Sequence, residues 1–185
     1  MAKIILGFVG KISSGKDVSK KYLEKKYGAQ SCRFSSILRD VLTRIGVEIN
    51  RENLQKVSTV LRQNFGEDLL ALAISKDASS FNSDIVIVDG VRRLTDISHL
   101  TALSHFFLIK IDADPKLRYE RMKLRNENVG DNMKTFENFL KDQEAEADRE
   151  IPMVMQTAKY SIDNNGSLED LYSQLDKLVA DLQGK

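Results

Sequence analysis

Lys3-Ile4-Ile5-Leu6-Gly7-Phe8-Val9-Gly10-Lys11-Ile12-Ser13-Ser14-Gly15-Lys16-Asp17 decides how the rest of the chain is read. The run up to Val9 is apolar and rich in β-branched residues, the pattern of a strand buried on both faces. It breaks at Gly10, and a helical pattern begins near Gly15. Strand, then G-x-x-x-x-G-K, then helix is the phosphate-binding loop, or P-loop. Successive backbone N–H groups of such a loop curve around a polyphosphate, and the helix that follows points its positive end at it. Gly10 and Gly15 allow approaches that a Cβ would block. Lys16 supplies a point charge to the outer phosphates. Gly10, Lys11, Ile12, Ser13, Ser14, Gly15, Lys16, Asp17 and Val18 are therefore the expected donor-phosphate residues. Asp17 stands where a Ser or Thr that touches Mg²⁺ usually follows the lysine, so this site handles its metal differently.

A second landmark is Asp84-Ile85-Val86-Ile87-Val88-Asp89-Gly90. Its four consecutive β-branched residues read as a central parallel strand. Asp89 falls at the carboxyl end, where ligands bind in open α/β sheets. With a P-loop upstream, a carboxylate here is the expected holder of Mg²⁺, through water. Nucleotide-hydrolysing P-loop proteins often carry a second carboxylate next to it to orient water. Residue 90 is glycine, which favours transfer to a bound acceptor over hydrolysis. Arg92 and Arg93 leave the same edge and suit a phosphate.

Between these landmarks the pattern is helical. Ser35 and Ser36 are placed to cap a helix with Ile37, Leu38, Val41, Leu42 and Ile45 on one face. A second helix carries Leu54, Val57, Leu61 and Phe65, with Arg62 near its end, and a third covers about 67–79. This is more helix than a simple crossover needs. It is expected to be an insertion, about residues 35–80, that receives a second substrate at the carboxyl edge of the sheet. Further on, Phe106–Ile111 reads as a strand, and Asp114-Pro115 starts a helix that carries Arg118, Arg121 and Arg125 on one face. These arginines and the polar stretch after them, about 125–135, suggest a short lid that brings positive charge over the transferring group. A helix from Thr135 is expected to end at Pro152. Lys159–Asp163 is the last strand, Asn164-Asn165-Gly166 a turn, and Ser167 the cap of a final helix with a leucine stripe at 168, 171, 175, 178 and 182.

Composition sets bounds on the function. The 185 residues are 42% hydrophobic and 30% charged, as in an ordinary globular protein, and suffice for one domain. The 28 basic and 27 acidic side chains leave a net charge of +1, which argues against nucleic acid as the partner. The lysines at 20, 21, 25 and 26 read as a solvated face. The one cysteine, Cys32, reads as a small buried residue, and the absence of any disulfide pair suits a reducing, cytoplasmic setting. No apolar run has the length of a membrane span and no signal-peptide layout precedes the first strand. His99 and His105 lack companions for a zinc site.

Taken together, these motifs resemble the nucleoside monophosphate kinase branch of the P-loop kinases over nearly the whole length. Gly15-Lys16-Asp17 is similar to the Gly-Lys-Asp variant of deoxynucleoside monophosphate kinases and phosphomevalonate kinases. Phe34-Ser35-Ser36-Ile37-Leu38-Arg39-Asp40 resembles their acceptor-binding segment, and Val88-Asp89-Gly90-Val91-Arg92 their Asp-Gly-x-Arg edge. Tyr160 to Leu171 is similar to the close of dephospho-coenzyme A kinases, although the P-loop departs from the Gly-Gly-x-Gly-Ser-Gly-Lys-Ser form usual there.

The resemblance implies a three-layer α/β P-loop kinase fold with a five-stranded, mainly parallel sheet in the order 2-3-1-4-5. It implies ATP as donor with Mg²⁺, and no Asn-Lys-x-Asp guanine motif speaks for GTP. It implies that Ser35, Arg39, Arg62 and Arg92 hold the acceptor. Arg121 and Arg125 act with Lys16, Asp17 and Asp89 on the phosphoryl group in flight, and Asn165 and Gly166 lie near the adenine. The expected partners are ATP and a small phosphorylated acceptor, a nucleoside or deoxynucleoside monophosphate first. Dephospho-coenzyme A as acceptor, or a slow ATPase or non-catalytic nucleotide-binding module, are the alternatives. The chain is expected as a monomer or homodimer.

Overall fold

The apolar run before the phosphate loop forms β1 (Ile4–Val9), every residue of which is buried. The computed structural model describes residues 4–125, 131–144 and 148–184. β1 lies at the centre of a five-stranded sheet with β2 (Gln30–Arg33), β3 (Ile85–Asp89), β4 (Phe106–Asp112) and β5 (Tyr160–Asp163). The order is β2-β3-β1-β4-β5, as expected, and all four pairings are parallel.

Helices cover both faces, because a parallel sheet buries its two sides. Ile4, Leu6 and Phe8 point to one side, where α1 (Lys16–Tyr27) and α8 (Leu168–Gln183) lie and contribute Leu23, Leu171 and Leu175. Ile5 and Val9 alternate to the other side. There they meet Phe34 and Leu38 of α2 (Phe34–Arg44), Leu70 and Ile74 of α4 (Leu69–Ser80), and Val154 of α7 (Ile151–Thr157). Between α2 and α4 runs α3 (Arg51–Phe65), capped by Asn50, whose side chain accepts from the Asn53 N–H. These three helices fill the chain between β2 and β3, where the insertion was expected.

Several boundaries differ from the sequence reading, each for a local reason. β2 stops at Arg33, and Phe34 already begins α2, so Ser35 and Ser36 lie inside its first turn and do not cap it. Pro152 starts a helix where it was expected to end one: α6 (Phe136–Lys141) stops first, and Pro152 sits in the first turn of α7, where its missing N–H costs nothing. Leu168 is half exposed, at the end of the stripe that buries Leu171, Leu175, Leu178 and Leu182. The remaining helix, α5 (Pro115–Arg125), begins as predicted, with Asp114 accepting from the Lys116 N–H at 2.8 Å. The lid expected at about 125–135 has its middle, residues 126–130, outside the described residues.

Candidate active site

The phosphate loop connects the buried end of β1 to the start of α1. A Cβ at Gly10 would sit 2.2 Å from the backbone oxygen of Ile111, so only glycine lets the loop turn against β4. Gly15, at φ +108°, would place a Cβ 2.1 Å from the Asn164 side-chain nitrogen. Asn164 is itself buried. Its Nδ2 donates to the Ser14 carbonyl at 2.8 Å, and its backbone N–H donates to the Asp112 carbonyl at 2.8 Å. The turn after β5 thus clamps the loop from the side. Within the loop, the hydroxyls of Ser13 and Ser14 are buried with no protein partner. Polar hydrogen-bonding atoms left over in a concave backbone turn suit an anion's oxygens.

Lys16 folds back along the loop, donating from Nζ to the carbonyls of Gly10 at 2.5 Å and Lys11 at 3.0 Å. Burial pulls its pKa down from the usual lysine value to about 8, against the opposing pull of Asp89 and Asp17. Arg92 lowers it further, and Asp148, paired with Arg92 at 3.1 Å, raises it. Lys16, Asp89, Asp17 and Arg92 therefore share one electrostatic neighbourhood, which brings the donor residues and one expected acceptor residue together.

Asp89 ends β3 and is buried. Burial alone would raise its pKa, but hydrogen bonds and charge from Arg33, with Lys20 and Lys16, leave it below the ordinary aspartate value. The Arg33 Nε donates to Asp89 Oδ2 at 2.9 Å and Nη2 donates to the same oxygen, while Lys20 Nζ approaches it at 3.5 Å. Asp17 closes the group. It lies 3.3 Å from Arg33 Nη2, 3.7 Å from Lys20 and 3.7 Å from Arg125. Lys20 is thus no part of a solvated face; it is the cation between the two carboxylates. Arg33 was not singled out from sequence. Strand order 2-3-1 sets the ends of β2 and β3 side by side, and Arg33 is the register partner of Asp89.

The pair of carboxylates fits a magnesium ion. Mg²⁺ takes hard oxygen ligands, typically one or two carboxylates with water and phosphate oxygens completing the octahedron. Asp89 and Asp17 supply that number beside the loop, and no cluster of three or more ligating side chains forms among the described residues.

The other expected residues are more dispersed. Arg39 lies exposed on α2, and Ser35 is half-buried in the same first turns. Arg62 is not free to grip an acceptor. It is buried with Asp96, donating from Nη2 to Oδ1 at 2.7 Å and from Nη1 to the Glu67 carbonyl at 2.5 Å. The second Asp96 oxygen accepts from the backbone N–H groups of Arg92 and Arg93 at 2.9 and 3.0 Å. Arg62 therefore pins the insertion to the loop that carries Arg92. On α5, Arg121 has a buried Nη1 without a partner, and burial lowers its pKa. Arg118, expected with Arg121 and Arg125 to bring positive charge over the transferring group, is instead 1% exposed. It donates to the carbonyls of Ala113 at 3.0 Å and Ile12 at 3.3 Å and to Gln143 at 2.9 Å, tying α5 to the loop. Asn165 lies beside Asp114, whose N–H donates to Asn165 Oδ1 at 2.7 Å, while Gly166 packs against Asp170. A cavity of about 710 Å³ opens there, with Lys11, Asp114, Arg118, Asp163 and Asn165 among its walls.

No family model matches the chain. Among solved structures, shikimate kinase from Bacteroides thetaiotaomicron superposes with a TM-score of 0.62 at 12% identity, over 97% of this chain and 98% of that one. Shikimate kinase from Acinetobacter baumannii, solved with shikimate, gives 0.56 at 14% identity over 99% and 96%. These likenesses show the fold, that of the P-loop kinases. No helix among the described residues is long and apolar enough to cross a membrane. Among curated relatives, a UPF0200 protein of Methanocaldococcus jannaschii is 27% identical and covers 97% of this chain and 90% of its own. A UPF0200 protein of Thermococcus kodakarensis is 32% identical over 190 residues, the whole of both chains. By that end-to-end identity, the chain belongs to the UPF0200 family.

Proposed function

We propose that the protein transfers the γ-phosphoryl group of ATP to a small phosphorylated acceptor, a nucleoside or deoxynucleoside monophosphate first. The observation that carries this reading is the meeting, at the carboxyl end of the sheet, of the phosphate loop with its buried, unpartnered Ser13 and Ser14 hydroxyls, the folded-back Lys16, and the Asp89–Asp17 pair that Lys20 and Arg33 join. The loop's N–H groups and Lys16 hold the donor phosphates, and the donor's nucleoside lies toward the cavity beside Asn165 and Gly166. Asp89, through water, and Asp17 would hold Mg²⁺, which supplies charge neutralisation between the phosphates when bound. Ser35 and Arg39 on α2, with Arg92, face the acceptor's phosphate. Arg121 and Arg125, at the end of α5, stabilise charge on the phosphoryl oxygens. Transfer of this kind is positioning and electrostatics, and needs no covalent nucleophile. Gly90 leaves no second carboxylate beside Asp89 to orient a water, which favours transfer over hydrolysis.

The test is acceptor-dependent ADP release across a panel of phosphorylated small molecules. Stimulation by a nucleoside monophosphate supports this reading, stimulation by dephospho-coenzyme A replaces the acceptor, and no acceptor effect refutes transfer. Lys16→Ala should lower the stimulated rate roughly 10²-fold or more while the chain stays folded.

A further inference from the structure

Arg33 joins two parts of the site that the reaction must keep in step. Its backbone is the last residue of β2 and directly precedes α2, the helix of Ser35 and Arg39. Its guanidinium points the other way, to Asp89 Oδ2 through two donors and to Asp17 through one. Gly90, at φ +89°, lies under the stem, where a Cβ would be 3.8 Å from Arg33 Cγ. The side chain is 46% exposed, so its guanidinium lies at the open edge of the site.

Asp89 Oδ2 already receives Arg33 twice and Lys20 once. A carboxylate oxygen has about two lone-pair sites, so it cannot keep all of these donors and also take the water shell of a cation. A dication among the same carboxylates also repels the guanidinium. Lys20, one turn along α1, reaches both Asp17 and Asp89 and remains to balance them. Arg33 holds Oδ2 through two donors, so its departure is what opens that oxygen, and its backbone already stands at the start of α2.

We propose that Arg33 couples the two sites: loading of the metal at Asp89 and Asp17 releases its guanidinium to the acceptor's phosphate, so that each site's occupancy favours the other. This rests on the phosphotransfer reading and adds an acceptor-binding residue to it. The acceptor's phosphate is gripped fully only when the donor is charged with metal, and by linkage the acceptor tightens the metal by the same factor.

Titration calorimetry on the full chain tests this. The loop is saturated throughout with β,γ-methylene-ATP, which cannot transfer and keeps other anions out of the loop. Inorganic phosphate, standing for the acceptor's phosphate, is then titrated with Mg²⁺ present or chelated. In the unaltered protein, phosphate should bind about 5- to 10-fold more tightly with Mg²⁺. In Arg33→Gln that ratio should fall to about one, with Mg²⁺ affinity unchanged or several-fold tighter because its competitor is gone. Arg33→Lys should restore part of the ratio. Weaker Mg²⁺ binding in Arg33→Gln with the ratio intact is what a merely structural arginine would give, and overturns the proposal. Binding of the ATP analogue with no Mg²⁺-dependence of phosphate in the unaltered protein overturns the role of Arg33 alone. No binding of the analogue overturns the phosphotransfer reading and this inference with it.

Discussion

Removing Asp96 should unfold more of this protein than removing any surface charge. Asp96 is 3% exposed and Arg62 is 7% exposed, and their pair is made at 2.7 Å between α3 and the loop after β3. Asp96→Ala leaves a guanidinium inside the protein with one remaining acceptor, the Glu67 carbonyl, and a buried Nε that already has none. Breaking a buried pair from one side costs about 3–5 kcal/mol, because the remaining charge stays desolvated. The Arg92 and Arg93 N–H groups lose their shared acceptor as well, each worth about 1 kcal/mol. A fall of about 5–7 kcal/mol in urea unfolding, or roughly 10–28 °C in Tm for a chain of this size, is expected. Adding Arg62→Met removes the orphaned charge, so the double variant should recover about 2–3 kcal/mol of the loss. A loss under about 1.5 kcal/mol in Asp96→Ala, or no recovery in the double variant, would show that Arg62 reaches water and refute the reasoning.

Three further outcomes follow from the geometry. Gly10→Ala forces a Cβ to 2.2 Å from the Ile111 backbone oxygen, which cannot rotate away. Stability should drop by about 1–3 kcal/mol and binding of a fluorescent ATP analogue should be lost, whereas near-normal binding would mean that the loop stands off from β4. Lys16 releases its proton near pH 8 in the free protein, and a bound phosphate should raise that value. Nucleotide binding should then take up a proton above pH 8 and weaken as pH rises, which calorimetry in two buffers of different ionisation enthalpy reads, and Lys16→Met should take up none. Asp176 accepts from Tyr22 at 2.7 Å, Tyr27 at 2.8 Å and Lys26 at 2.6 Å, joining α8 to α1. Burial raises its pKa, but these bonds outweigh that and hold it below the usual aspartate range, so its contribution is present above about pH 4 and lost as pH falls through the lowered value. The stability gap between the unaltered protein and Asp176→Asn, clear at pH 6 in urea unfolding, should close under acid; a gap that persists would place the contribution elsewhere.

The proposed donor half of the site was legible because its chemistry is local. Gly10, Gly15 and Lys16 stand in one turn, and Asp89 ends a strand whose apolar run announces it. Parallel strands were legible too, since each crossover is a stretch of helical pattern between two apolar runs, but their order followed from the resemblance to P-loop kinases and not from the pattern itself. What escaped was settled by side chains from distant parts of the chain. Lys20 looked like one of four lysines on a wet face, and only the fold sets it 3.5 Å from a carboxylate 69 positions later. Arg33 carries no motif; its role comes from sitting opposite Asp89 across β2 and β3. Arg62 was expected at the acceptor, yet Asp96, from another element, takes it into the interior. Pro152 illustrates a local ambiguity: proline both ends helices and begins them, and only the stop of α6 ahead of it decides.

The clamp of Asn164 on the phosphate loop also governs when that loop can be completed during synthesis. The loop leaves the ribosome well before its clamp, because the side chain that holds its Ser14 carbonyl emerges some 150 positions later. At roughly 5–20 residues per second, that is a delay of about 8–30 seconds. For that interval the nascent chain carries the full phosphate-binding motif without the clamp that shapes it. A chain cut short before residue 164 would keep the recognisable sequence and lack the finished loop, so the proposed nucleotide binding would require that the chain be made at least through Asn164.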